Sequence, residues 1–194
     1  MSEFFKKKSN IIIVAVVAIV LIILIASFAG YNGLVSKQET IEERRSQISV
    51  QLQRRADLIP NFVETAKGYS DYEQETFTAV TEARAAVKNA TSVEQQAAAA
   101  TQLEGAIDVW VNAITESYPE LKSDKLYIQL QDELAGSENR IAVARRDYNT
   151  AVKEYNSKVK RFPSNIIAGM FGFEAEEYFE ADPSATEAPE VSFD

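Results

Sequence analysis

The sequence predicts an all-α protein in which an N-terminal transmembrane helix continues into an antiparallel up-down four-helix bundle, followed by a disordered acidic C-terminal tail. Three observations predict this fold. One apolar stretch near the N-terminus is long enough to cross a bilayer. Apolar residues after it recur at helical spacing, and no window alternates like a strand between hairpin turns.

The first element is the apolar stretch Ile11 to Ala29, which is almost entirely Ile, Val, Leu and Ala. At about 1.5 Å per residue it reaches roughly 29 Å, close to the ~30 Å thickness of a bilayer core. The core of a cleaved signal peptide is usually shorter, about 7 to 15 residues, so that alternative is less favoured. We therefore predict a short basic head at residues 1–10 and a membrane-spanning helix at residues 11–30.

The basic residues around this stretch predict its orientation. Lys6, Lys7 and Lys8 precede it directly in a tight cluster, whereas Lys37, Arg44 and Arg45 follow it at greater spacing among several Glu residues. By the positive-inside rule we expect a single-pass protein of the plasma (inner) membrane, with a cytoplasmic N-terminus and an exported bundle.

The bundle is predicted at residues 31–162 and begins with two helices. The first continues from the span to about Leu58, where Pro60 is expected to stop or kink it. The second runs from Asn61 to about Lys88 and ends at the polar residues that follow.

Two further helices complete the predicted bundle. The third opens with Ser92 and Gln95 in a capping-box pattern and ends at Tyr118. The fourth starts near Lys125 and continues to about Arg161. Its apolar seam recurs every seven residues, at Ile141, Tyr148, Tyr155 and Phe162.

Residues 163–181 form a predicted apolar or amphipathic segment near the membrane, because the fourth helix of an up-down bundle returns towards the bilayer. The alternative is that this segment caps the open end of the bundle core. Tyr178 and Phe179 are expected to anchor a last short helix, and residues 182–194 predict a disordered acidic tail. The candidate membrane-interface residues are Phe162, Ile166, Ile167, Met170, Phe171 and Phe173.

Composition excludes several kinds of chemistry. The chain has no Cys and no His, so disulfides, thiol nucleophiles, imidazole bases and the usual zinc sites are absent. Its net charge of −9 argues against nucleic acid as a partner. Since no phosphate-binding or nucleophile motif occurs, we expect neither an enzyme nor a cofactor.

Two segments contain more polar side chains than the packing of a helical bundle requires. They form a candidate interaction surface for a carboxylate or peptide partner. The alternative is structural, with Asp57 or Asn61 capping the second helix, an arginine paired with a carboxylate, and Tyr148 in the core. The candidate surface comprises Arg54, Arg55, Asp57, Asn61, Glu64, Arg145, Tyr148 and Asn149.

Four strings in the sequence resemble the LemA family of bacterial membrane-anchored helical proteins. They are VQLQRRADLIPNFVETAKGY from Val50, SYPELKSD from Ser117, SENRIAVARRDYNTAVKEYN from Ser137, and FPSNIIAGMFGF from Phe162. The resemblance implies an all-α antiparallel bundle in front of a membrane anchor, with no established biochemical activity and no catalytic residues to carry over.

Three functions remain open at this point. The leading hypothesis is a non-enzymatic interaction or scaffold module at the cell envelope. It would be held in membrane lipid by the Ile11 to Ala29 span and would bind an unknown membrane or envelope protein or form a homo-oligomer. One alternative is a self-assembling, membrane-shaping, coat-like protein. The other is a small-ligand sensor or a carboxylate-based enzyme.

Overall fold

The computed structural model of the chain describes residues 2–67 and 74–179. All regular structure in these residues is helical, which confirms the predicted all-α class. The elements are α1 (Ser2–Lys67), α2 (Gln74–Asn89), α3 (Val93–Ser117), a 3-10 helix (Pro119–Ser123), α4 (Lys125–Lys160) and α5 (Ser164–Phe171).

Helix α1 passes through Pro60, so the predicted stop at this residue is wrong, while the predicted kink stays a prediction. Residues 61–67, which we assigned to a second helix, belong to α1, and the described part of α2 begins at Gln74. Proline inside a helix costs about 3 kcal/mol, because it removes one hydrogen bond and crowds the preceding turn. Ile59 and Phe62 on either side are both buried in the core, at about 1.5–3 kcal/mol each, which offsets that cost.

The predicted start of α3 is confirmed in detail. The Ser92 hydroxyl accepts a hydrogen bond from the Gln95 N–H at 3.1 Å, and the Gln95 side chain accepts one from the Ser92 N–H at 3.2 Å. The 3-10 helix after α3 was not predicted. Asp124 then accepts hydrogen bonds from the N–H groups of the second and third residues of α4, at 2.8 and 3.0 Å, which fixes the start of that helix.

The chain forms two compact units, and α1 and α4 each contribute to both. The first unit contains Met1–Ile41 and Ala151–Glu176, and the second contains Glu42–Thr150 and Glu177–Asp194.

The core of the second unit is built by α1, α2, α3, the 3-10 helix and α4. The Phe62 ring lies at its centre, 5.2 Å from the Trp110 ring and 5.1 Å from the Tyr127 ring. Four α-helices sharing one core agree with a bundle, while the up-down topology stays a prediction. The buried cluster is Ala56, Ile59, Phe62, Val80, Ala83, Leu103, Ile107, Trp110, Leu121, Tyr127 and Leu134.

The first unit contains the apolar part of α1, which is the one segment of the described residues long and apolar enough to cross a membrane. Helix α5 lies against α1 at Gly30, where a Cβ would overlap the end of the Ile167 side chain. Lys37 of α1 and Glu154 of α4 form an ion pair at 2.8 Å.

After α5 the chain is extended. Gly172 ends the helix with φ of +75°, a left-handed conformation that side chains with a Cβ rarely adopt. Residues 173–179 contain no helix, so the short helix predicted at Tyr178 and Phe179 is wrong. The predicted tail at residues 182–194 lies outside the described residues.

Candidate functional site

Arg55, one of the candidate surface residues on α1, is only 6% exposed. Its guanidinium donates a hydrogen bond to the Glu138 carboxylate of α4. Burial lowers the pKa of Arg55, and the carboxylates of Glu104 and Asp108 partly offset that effect. Arg55 therefore ties α1 to α4 inside the second unit, as the structural alternative predicted, and it offers little surface to a partner.

The other candidates on α1 are exposed. Asp57 accepts a hydrogen bond from the Gln53 side chain at 2.8 Å and lies 3.6 Å from the Arg84 guanidinium of α2. Because α1 continues to Lys67, neither Asp57 nor Asn61 caps a second helix. Arg54, Asp57, Asn61 and Glu64 thus remain an accessible set on one helix, without Arg55.

The candidates on α4 hold another part of the same chain. Asn149 donates from Nδ2 to the Phe179 carbonyl at 2.9 Å, and its Oδ1 accepts from the Phe179 N–H at 2.8 Å. The Tyr148 hydroxyl donates to the Glu177 carbonyl at 3.0 Å. A side-chain amide offers a donor beside an acceptor, as a peptide group does, so Asn149 pairs with the extended chain much as a neighbouring strand would.

The Phe179 ring is buried among the same residues and is 5% exposed. Its centroid lies 6.5 Å from that of Tyr148, and the guanidinium carbon of Arg145 lies 5.0 Å from it in a cation–π contact. Burial lowers the pKa of Arg145, partly offset by Glu104. We call Arg145, Tyr148 and Asn149 the aromatic seat, and the extended segment 177–179 of the same unit the strap.

The first unit contains a second asparagine that pairs with a backbone peptide group in the same way. Asn156 donates to the Glu176 carbonyl and accepts from the Glu176 N–H, both at 2.8 Å. Our candidate set did not include Asn156. The signal that points to it is the Tyr-Asn pair, which occurs at Tyr148-Asn149 and again seven residues later at Tyr155-Asn156.

The candidate membrane-interface residues lie on or beside α5 in the first unit. Phe162, Ile166, Met170 and Phe171 are exposed, whereas Ile167 and Phe173 are half-buried. The Tyr31 ring of α1 contacts the rings of Phe171 and Phe173, with centroids 4.9 and 5.5 Å apart. An apolar cavity of about 300 Å³ lies here and is lined by Leu24, Ser27, Phe28, Tyr31, Ile167, Met170 and Phe171.

The class of protein is defined by the part of the chain that the structure describes: its regular structure is helical, its N-terminal helix is long and apolar enough to cross a membrane, and several helices share a core. A family model described as "LemA family" matches residues 44–193. The chain therefore belongs to the LemA family.

Relatives with curated names agree with this assignment. Protein LemA of Metamycoplasma hominis is 28% identical over 165 residues, covering 80% of this chain and 74% of that protein. Magnetosome protein MamQ 2 of Paramagnetospirillum magneticum is 27% identical over 179 residues, covering 79% of this chain. Magnetosome protein MamQ of Magnetospirillum gryphiswaldense is 26% identical over the same length and share. The chain spans 66% of the length of these MamQ relatives.

Proposed function

We propose that this LemA-family chain is a non-enzymatic interaction module of the cell envelope, anchored in the plasma membrane by one span. It docks or scaffolds another membrane or envelope protein through its helical domain. In this proposal residues 11–30 span the bilayer with the N-terminus in the cytoplasm. Residues 31–162 form the exported bundle, and residues 163–181 lie near the membrane surface.

The observation that carries the membrane part is the exposed apolar surface of the first unit. Large apolar side chains from Ile13 to Phe28 on α1 are exposed, and so are those of Met170 and Phe171 on α5. Soluble monomers rarely expose so large an apolar patch. Burying each such side chain in lipid is worth about 1.5–3 kcal/mol, which supports an anchor in the bilayer.

The non-enzymatic part rests on the available side chains. The chain lacks His and Cys, and several polar groups that first suggested a site are held by the chain itself. Arg55 is paired with Glu138, and Asn149 is occupied by the Phe179 backbone. The MamQ relatives are named for the magnetosome and not for a reaction, which also favours a role in an assembly.

The docking role is tested at the exposed residues of α1. Full-length protein with Arg54→Ala and Asp57→Ala should lose one or more envelope proteins that are crosslinked to the wild type in cells and identified by mass spectrometry. Arg55 stays unchanged, because its substitution would disturb the core. The matched control is Arg140→Ala with Glu133→Ala, an exposed pair 3.7 Å apart on α4. Identical partner lists for wild type and the α1 variant would contradict docking at this surface.

The membrane contact of α5 is tested by photocrosslinking in cells. A photoreactive residue at Met170, which is 75% exposed, should label lipid. The same residue at Ala168, which is buried on the same helix, should label protein only. Lipid labelling absent at both positions would favour the alternative in which α5 caps the protein core.

A second candidate function is membrane shaping, which the exposed apolar side chains of α5 favour. It requires that purified full-length protein deforms liposomes. A Met170→Ser, Phe171→Ser variant should then bind the same liposomes through its span and leave their shape unchanged. Liposomes that keep their shape with the wild type would rule this function out.

A further inference from the structure

The strap is held in the second unit by contacts that do not depend on most of its side chains. Asn149 and Tyr148 bind its backbone, and only the Phe179 ring is deeply buried. Glu177 and Tyr178 are exposed. The contacts that hold the strap are therefore made to its backbone and to one aromatic ring.

The sequence contains a second segment with this pattern. Glu176-Glu177-Tyr178-Phe179 is followed by Glu190-Val191-Ser192-Phe193, and Glu-x-x-Phe occurs nowhere else in the chain. When the two segments are aligned by this sequence pattern, Phe193 corresponds to Phe179. Both segments belong to the stretch after α5 that contains no Lys or Arg.

We propose that the aromatic seat is a peptide-binding site, and that its second ligand is the segment 190–193 of a neighbouring copy of this chain. The proposal deepens the scaffold function by naming a second copy as one partner. When the neighbouring segment binds, the resident strap leaves the seat. One copy's tail is then linked to the next copy's α4.

The cleft beside the strap explains how the second segment competes. This cleft of about 470 Å³ is lined by Val93, Glu94, Ala97, Glu177 and Tyr178, so two carboxylates share it. In the aligned segment, Val191 replaces Glu177. This exchange removes one of the two like charges, which favours the incoming segment. Ser192 replaces Tyr178 in the same alignment and gives up apolar contact in the cleft, so the advantage of the incoming segment is one of charge.

A link between copies follows from how the ligands are arranged. Each copy carries one aromatic seat and two matching segments, so a copy whose seat is filled still has a segment to offer. Copies anchored in one membrane are confined to the same surface, which raises their effective concentration for each other. Because seat and segment are different surfaces, the contact runs head to tail and extends to further copies.

Peptide binding to full-length protein in detergent tests the seat. The probe is a fluorescent peptide of residues 186–194, and its anisotropy reports binding. Wild type should bind weakly, because the resident strap fills the seat. Phe193→Ala in the protein removes its own competing segment, and in that background Phe179→Ala should make the peptide bind at least about tenfold more tightly, as removal of a competing occupant requires. Adding Asn149→Ala should abolish that gain, and adding Asn139→Ala, an exposed asparagine of α4, should leave it unchanged.

Two results of this experiment would overturn the proposal. One is equal binding of a peptide that carries Phe193→Ala. The other is tight binding that persists with Asn149→Ala. Circular dichroism establishes that each variant retains its helices, and the next measurement leaves Phe179 in place.

Disulfide trapping tests the neighbouring copy, using the absence of native cysteine. Arg146→Cys lies one helical turn before Asn149 on α4 and is exposed. Membranes in which this variant and a Ser192→Cys variant are expressed together should yield a mixed disulfide dimer on oxidation. Phe193→Ala in the second variant should reduce that dimer at least about tenfold, since it removes the anchoring ring.

The outcomes separate this inference from the proposed function. No dimer, or a dimer indifferent to Phe193→Ala, overturns the link between copies. A chain carrying both cysteines that forms only an internal disulfide also overturns it, because the tail then fills its own seat. Loss of envelope partners in the Arg54, Asp57 variant does not depend on the seat, so either idea can fail alone.

Discussion

Adjacent residues on α1 illustrate how position on a helix decides the role of a side chain. Arg54 and Arg55 have the same chemistry, yet Arg54 is exposed and Arg55 is buried against Glu138. Successive helical residues differ by about 100° around the axis, and here that step separates Arg55, which faces Glu138, from Arg54, which faces solvent. Their substitutions consequently belong to different experiments, one on docking and the other on stability.

Glu138→Gln should destabilise the protein by about 1–3 kcal/mol, the usual worth of a part-buried hydrogen bond to a charged group. The substitution keeps the shape of the side chain but leaves the buried guanidinium of Arg55 without its carboxylate. Thermal unfolding of full-length protein in detergent, followed by circular dichroism, measures the effect.

The matched control for Glu138 is Glu133→Gln on the same helix. Glu133 pairs with Arg140 at 3.7 Å, and both side chains are exposed. An exposed pair contributes about 0–1 kcal/mol, so this variant should unfold close to the wild type. Equal losses in the two variants would mean that burial does not set the strength of the Arg55 pair.

Tyr155→Phe should make the protein less sensitive to alkaline pH. Burial, and then the Glu176 carboxylate, raise the pKa of the Tyr155 phenol. The unfolded chain releases this proton near pH 10 and the folded protein only at a higher pH. The stabilisation is therefore present below about pH 10 and is lost as the pH rises through the folded pKa.

The neutral-pH cost of the same substitution should be small. The Tyr155 hydroxyl is buried and makes no hydrogen bond within the described residues, so its removal leaves no new group unpaired. Denaturant titrations should give similar midpoints near neutrality and a growing advantage for Tyr155→Phe above about pH 10. Unfolding midpoints that change with pH in the same way for wild type and Tyr155→Phe would show that the pKa of Tyr155 is not raised in the folded protein.

At the scale of elements, Ser92→Ala tests the start of α3. The Ser92 hydroxyl and the Gln95 side chain together satisfy backbone N–H groups that the first turn would otherwise leave unpaired. Loss of the cap should cost about 1 kcal/mol, measured as a lower unfolding midpoint. Ser46→Ala, an exposed position inside α1, is the control and should be within about 0.5 kcal/mol of wild type.

Local patterns predicted most helix boundaries, and tertiary contacts decided where they failed. The capping residues of α3 and the heptad of α4 involve residues that are close together in the chain, so both patterns can be recognised from the sequence alone. The passage of α1 through Pro60 depends on the burial of Ile59 and Phe62, which residues distant in the sequence provide. The presence of a proline is a local feature of the sequence, and it carries no information on how deeply the neighbouring side chains are buried.

In the candidate site too, local patterns were predictable from the sequence and contacts with distant residues were not. The polar pattern pointed to Arg145, Tyr148 and Asn149, and these three side chains do lie together. Their partner is Phe179, 30 residues away from Asn149, in a segment expected to be helical. Backbone recognition carries almost no sequence signal, because Asn149 binds peptide groups that every residue has. Only the repeated Tyr-Asn pair indicated that the asparagines act at heptad spacing.

At the scale of the whole molecule, the net charge opposes contact with an anionic membrane, whereas the apolar surface favours it. The chain has a net charge of −9, and anionic headgroups repel it. Apolar side chains on α1 and α5 favour lipid regardless of charge. If the proposed anchor is correct, the contact of α5 with the membrane is driven by apolar burial.

An environment-sensitive fluorophore on Met170→Cys, in full-length protein reconstituted into liposomes, should therefore report an apolar site. Because apolar burial drives the contact of α5 with the membrane, the emission of the fluorophore should not change between neutral and anionic lipid, or between low and high salt. The control is the same fluorophore on Ser46→Cys, an exposed position of α1 in the second unit, which should report water throughout. Emission from Met170→Cys that shifts towards the aqueous value as anionic lipid increases would instead show that charge governs the approach of α5 to the bilayer.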